Sequence, residues 1–112
     1  MPTPSLQIYH YADMKGGWIA GKFRPTAFYT PHFEVALKRH RQGEPWAAHY
    51  QRVATEINLV LSGILELNGQ KFHRDDIIVV PPMLVTKPVF VTDCQVMCIK
   101  VPSLPNDKVL TP

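Results

Sequence analysis

The residues best placed to do chemistry are His49, Gln51 and Glu56, an imidazole, a carboxamide and a carboxylate in a stretch that otherwise reads as core strand. Residues two apart on a strand point to the same side, so His49 and Gln51 share a face. A turn through Val53 and Ala54 then folds Glu56 back toward them. Burying such polar groups without partners costs roughly 2–7 kcal/mol each. They therefore require a metal ion, a bound molecule or a closed hydrogen-bond network. His49 and Glu56 are good ligands for first-row divalent metals, whereas the neutral amide oxygen of Gln51 is weaker. A fuller ligand set needs a further histidine from among His10, His32, His40 and His73.

The elements that must position this set are short strands. From His32 the chain alternates, with Phe33, Val35 and Leu37 on one face and Glu34, Ala36 and Lys38 on the other. Turn chemistry at 41–45 separates this strand from another over 47–52, which carries His49. The segment 55–62 alternates again, with Ile57, Leu59 and Leu61 opposite Glu56, Asn58, Val60 and Ser62. Asn68-Gly69 marks a two-residue hairpin between 64–67 and 70–73. The β-branched run Ile77-Ile78-Val79-Val80, stopped by Pro81-Pro82, reads as a strand covered on both faces. Further strands are expected near 18–23, 87–92 and 95–101. One face of the last, through Val96, Cys98 and Lys100 or through Met97, Ile99 and Val101, should line any cavity. The predicted flanks are an arm or edge strand over 1–16 and an extended tail over 102–112.

So many short strands with close turns indicate an all-β sandwich or barrel. With 112 residues and no shift in composition, 1–112 reads as a single domain. The net charge of +3 is modest, and its one dense cluster, Lys38-Arg39-His40-Arg41, is too short to track a nucleic acid and reads as a solvated strand end. No secretory-type apolar core and no bilayer-length apolar run are present, so no membrane partner and a cytoplasmic location are expected. Cys94 and Cys98 sit four apart on a strand, about 13 Å between α-carbons at ~3.3 Å per residue. That is beyond the roughly 7 Å limit for a disulfide, so both read as small core residues. Trp18, Trp46, Phe28 and Tyr29 read as core or dimer-interface area.

The spacing His49-x-Gln51, four residues, Glu56, six residues, Gly63 resembles the first motif of the cupin superfamily, with glutamine in place of its second histidine. Asp75-Asp76-Ile77-Ile78-Val79-Val80-Pro81-Pro82-Met83, continuing to Thr86, is similar to the second motif. Asp75 and Met83 stand where that motif has glycine, and Thr86 where it has histidine. The resemblance runs from about Phe33 to Val101 and implies a double-stranded β-helix, the jelly-roll barrel of cupins.

By position the resemblance makes His49, Gln51, Glu56 and Thr86 the lining of a site, with His49, Gln51 and Glu56 as metal ligands. It leaves two cofactor states open, one divalent ion (zinc, nickel, manganese or iron) or none. The function implied is binding of a small polar molecule in the barrel. By strand parity, Lys100 either stands near the mouth, if its face lines the cavity, and favours a carboxylate or phosphate there, or is a strand-end lysine in solvent. The alternatives are a metal-dependent oxygenase or lyase and a sugar isomerase or epimerase working through a histidine base and a tyrosine acid. An exposed strand edge and a flat outer sheet, together with the resemblance, lead us to expect a homodimer.

Overall fold

A computed structural model describes residues 3–112, so the first two residues of the expected arm lie outside the described residues. Eleven strands form among them: β1 (Trp18–Gly21), β2 (Phe28–Tyr29), β3 (Glu34–His40), β4 (His49–Gln51), β5 (Thr55–Ser62), β6 (Leu65–Leu67), β7 (Gln70–Phe72), β8 (Ile77–Val80), β9 (Pro88–Phe90), β10 (Cys94–Val101) and β11 (Lys108–Leu110). They make a six-stranded sheet in the order β2-β1-β3-β10-β5-β8, a three-stranded sheet β7-β6-β9 and a two-stranded ribbon β11-β4. The three sheets stay separate and do not close into one continuous barrel.

Side-chain alternation on β3, β10 and β5 sets the interior. Cross-strand register places Glu34, Lys100 and Glu56 side by side, then Ala36, Cys98 and Asn58, then Lys38, Val96 and Val60. The last of these rows meets the small sheet. Val60, Leu65, Phe90, Cys94 and Val96 form the buried cluster, with Trp46, Leu67, Phe72 and Ile78 packed on it. The interior thus grades from an apolar end to a charged end along the same strands.

The hairpin at Asn68-Gly69 joins β6 to β7 in the expected register, Leu67 opposite Gln70. The two non-glycine residues in the glycine positions of the second motif are both left-handed, Asp75 at φ 74° and Met83 at φ 70°. Their backbones are held there: Asp75 N–H donates to the carbonyl of Val60 and Met83 N–H to that of Gln51, both at 2.8 Å. Aspartate tolerates this region, but for a side chain like methionine's it costs about 1–2 kcal/mol. Met83 is largely exposed, so packing offsets little of that cost. Met83→Gly should therefore raise stability by about 0.5–1 kcal/mol after the extra freedom it gives the unfolded chain, read as a higher urea midpoint at unchanged m-value.

Two expectations are corrected here. The run at β8 is covered on one face only: Val80 is buried, while Ile77 and Val79 are 69% and 59% exposed on a strand at the sheet edge. A continuous β-branched run has no period from which to read this. The tail is not merely extended either, because Lys108, Val109 and Leu110 pair with Gln51, Tyr50 and His49.

Candidate functional site

The interior holds a cavity of about 220 Å³, open to solvent on one side, between the inner face of the large sheet, the small sheet and the β11-β4 ribbon. Its apolar end is formed by Leu65, Phe90 and Val96, and its charged end by Glu56, Lys100 and Lys108. Trp18 and Trp46 both line it, and Trp46 also packs on the buried cluster as expected of a core residue. Phe28 and Tyr29 are largely exposed instead.

Three lysines reach this space, two of them from segments read as solvated or merely extended. Lys38 lies inward on β3, beside Val96, because it shares the face of Ala36; in that basic cluster Arg39 and Arg41 are exposed, and Lys38 and His40 are not. Lys108 comes from β11 and sets its Nζ 4.5 Å from the centre of the Trp46 ring. Lys100, opposite Glu34 and Glu56 in register, has its Nζ 4.0 Å from Glu56 Oε1 and 5.1 Å from the Trp18 ring centre. Lys38 approaches the same ring at 5.6 Å and donates to the carbonyl of Gly16 at 2.8 Å. No protein acceptor takes a hydrogen bond from Lys108 Nζ among the described residues. Burial lowers the pKa of Lys38 and of Lys108, and the charge of Lys100 adds to both shifts. Three lysines thus line a space whose lining, among the described residues, holds one carboxylate, and Lys108 also reaches solvent.

Glu56, the only carboxylate lining the cavity among the described residues, is already engaged. Its Oε2 accepts Asn58 Nδ2 at 3.0 Å, and its Oε1 faces Lys100 Nζ and the Cys98 thiol at 3.7 Å. Burial first, and then the Glu56 charge, drive the Cys98 pKa far up, so Cys98 stays a neutral thiol that neither attacks nor ligates. Burial raises the pKa of Cys94 as well. Both cysteines are buried and free, as their spacing led us to expect.

Two imidazoles face the cavity with their tautomers set by neighbours. His49 Nδ1 lies 3.1 Å from the carbonyl of Ala47, which can only accept, so Nδ1 carries the proton and Nε2 is left as an acceptor. His40 Nδ1 lies 2.7 Å from Glu44 Oε2, which also takes the Trp46 indole N–H at 2.6 Å, and its ring stacks on Phe90. Burial lowers the His40 pKa against the opposing pull of Glu44. Burial pushes the Glu44 pKa up, but the hydrogen bonds from Trp46 and His40 outweigh it, for a net lowering. No tyrosine lines this cavity among the described residues, so the acid of a histidine–tyrosine pair has no counterpart there.

Of the positions expected at the site, His49, Glu56, Thr86 and Lys100 line one cavity and Gln51 does not. Gln51 is buried in a neighbouring pocket beside Ala54 and Asp107, on the far side of Lys100 and Lys108, which border both spaces. Thr86 is tied to His49 by two backbone hydrogen bonds, 2.9 Å and 2.8 Å, so it fixes the β4 strand at the position of the family's last ligand. This donor set does not fit a metal held in the family manner. Gln51 is turned aside, Glu56 is spent on Asn58, Cys98 and Lys100, and three lysines line the same cavity and repel a cation. Among the described residues no three His, Cys, Asp or Glu side chains gather as a possible metal-holding group.

No protein-family model and no curated protein matches the chain. Solved structures do. An uncharacterised protein with a double-stranded β-helix domain from Klebsiella pneumoniae matches with a TM-score of 0.66 at 19% identity, over 73% of this chain and 72% of that one. An RmlC-like cupin from Ralstonia eutropha matches at 0.58 and 12%, over 74% and 58%. A variant of the salicylate 1,2-dioxygenase of Pseudoaminobacter salicylatoxidans, in complex with gentisate, matches at 0.56 and 21%, over 64% of this chain but 21% of that one. The fold is therefore the double-stranded β-helix of the cupins.

Proposed function

We propose that this cupin-fold protein binds a small organic carboxylate in its cavity, with lysines in the role that a metal ion has in the family pattern. The single observation that carries the reading is the charge imbalance of the lining: among the described residues Lys38, Lys100 and Lys108 line the cavity with one carboxylate, Glu56, and Lys108 Nζ has no protein acceptor. Lys100 is shared with Glu56 and Lys38 donates to the carbonyl of Gly16, so Lys108 is the ammonium best placed to take a ligand carboxylate. The apolar end, with Phe90 and Leu65, suits a flat hydrocarbon body. A volume of about 220 Å³ is below the ~300–1,000 Å³ of drug-sized pockets, which limits the ligand to a small one. His49 Nε2 is available to accept a hydroxyl proton from it.

The test is calorimetric titration with benzoate, with benzamide as its uncharged counterpart. Benzoate should bind and benzamide should not. Lys108→Met should weaken benzoate at least tenfold, since a charge-assisted hydrogen bond contributes about 1.5–3 kcal/mol. Affinity should fall with rising pH sooner than an ordinary lysine would allow, because deprotonation of Lys38 and Lys108, whose pKa values are lowered, removes the attracting charge. Equal binding of benzamide would overturn the anion reading. A zinc or nickel ion bound per chain and lost in Glu56→Gln would restore the metal site instead.

A further inference from the structure

A second space of about 260 Å³ lies against the first. Glu34 and Lys100 of the large sheet line it, together with Gln51 and Lys108 of the β11-β4 ribbon and the turn that carries Asp107. Lys100 and Lys108 line both spaces, so lysine side chains form the boundary between them. Lys108 stands directly opposite Gln51 in the ribbon. Side chains paired in this way leave the strands side by side, with β-carbons about 4.5–5.5 Å apart.

Gln51 is the residue of this second space that the rest of the fold does not use. Only 4% of it is exposed, yet its carboxamide makes no hydrogen bond to a side chain or to the backbone among the described residues. Burying an amide without partners is costly, and buried polar groups are as a rule satisfied. The two acids in the same lining have structural duties. Asp107 spends both carboxylate oxygens on the amides of Val53 and Ala54. Glu34 accepts the hydroxyl of buried Ser103 through Oε1 at 3.0 Å, which leaves Oε2 open to the space. The second space thus presents one carboxamide, able both to donate and to accept, and one open carboxylate oxygen.

We infer that Gln51 recognises a hydroxyl group on the carbon next to the ligand's carboxylate, which makes the ligand a 2-hydroxy carboxylate with a small hydrocarbon body. Resting on the carboxylate reading above, this puts the anion on Lys108, the body at the apolar end by Phe90, and the hydroxyl across the lysine boundary. There the hydroxyl accepts from Gln51 Nε2 and donates to Gln51 Oε1 or Glu34 Oε2. An ammonium group in the same position would lie between Lys100 and Lys108 and be repelled, which sets a hydroxy acid above an amino acid. Carboxylate, body and hydroxyl go to three different places around one carbon. Only one enantiomer satisfies all three.

Calorimetric titration of the full chain with phenylacetate, each enantiomer of mandelate, and phenylglycine tests the subsite. One mandelate should bind about tenfold more tightly than phenylacetate, the contribution of two neutral hydrogen bonds. The other enantiomer and phenylglycine should bind no more tightly than phenylacetate. In Gln51→Met the tenfold gain should vanish while phenylacetate affinity stays the same. If that variant loses its fold, the side-chain amide NMR resonances of Gln51 in the wild type should shift with the tighter mandelate and stay in place with phenylacetate. Equal affinities for both mandelates and phenylacetate would overturn the subsite and leave the carboxylate reading standing. A gain that persists in Gln51→Met, or resonances that do not move, would give the hydroxyl to His49 and overturn the role of Gln51. Phenylglycine matching the tighter mandelate would overturn the hydroxyl. Failure of every acid to bind, benzoate included, would overturn the carboxylate reading itself, and the subsite with it.

Discussion

Gly63→Ala is expected to cost about 4 kcal/mol, a large part of the 5–15 kcal/mol that holds a domain of this size. Gly63 closes the turn from β5 into β6 at φ 86°. That conformation alone costs an alanine about 1–2 kcal/mol. The larger loss is steric: a β-carbon there would overlap the carbonyl oxygen of Asp93 and come within 2.8 Å of Cys94 Sγ and 2.9 Å of Cys94 Cα. Two of these atoms are backbone of β10 and its approach, which cannot move without shifting the strand that carries Cys98 and Lys100. The melting temperature should fall by roughly 15 °C, at ~4 °C per kcal/mol. Gly69→Ala is the control. Its φ is 84°, but a β-carbon there meets nothing within 4 Å, so only the conformational cost of about 1 kcal/mol should appear.

Asp107→Ala should destabilise by about 3 kcal/mol and is read the same way, from a urea midpoint. Asp107 is buried, and its two carboxylate oxygens accept the backbone N–H groups of Val53 and Ala54, each at 3.0 Å. Its own carbonyl accepts from Arg52 N–H at 3.0 Å. Hydrogen bonds to a charged acceptor contribute about 1.5–3 kcal/mol each. Val53 is exposed enough for its amide to find water after the substitution, while the amide of buried Ala54 is left without a partner, so the total stays near one such bond plus a desolvation penalty. Asp107→Asn keeps one acceptor oxygen and should lose about half as much. Should the two variants prove equal, the carboxylate would not be what holds this turn.

Much of the frame was legible because its signals are local. The alternation of 55–62 reproduces β5 residue for residue, and Asn68-Gly69 gave its hairpin. The two left-handed residues Asp75 and Met83 fall where the motif comparison called for glycine, so backbone shape persisted where residue type did not. The site was less legible. His49 and Gln51 share strand parity, yet the twisted β11-β4 ribbon lies between two spaces, and each side chain serves a different one. Parity fixes a side of a strand, not which cavity that side borders. Lys38 and His40 could have been found from their alternation with Ala36, a signal outweighed by the basic run around them. Nothing local marks Lys108, because its place depends on a pairing with residues more than fifty positions earlier.

That pairing also orders events during synthesis. Asp107 secures the amides at 53 and 54 across 54 and 53 positions, so β4 and the start of β5 leave the ribosome well before the segment that steadies them. At ~5–20 residues per second, the gap lasts several seconds. Through that interval the nascent chain has the carboxylate of Glu56 but not the ammonium of Lys108, so the cavity gains its third lysine only after the strands that frame the rest of it have been made.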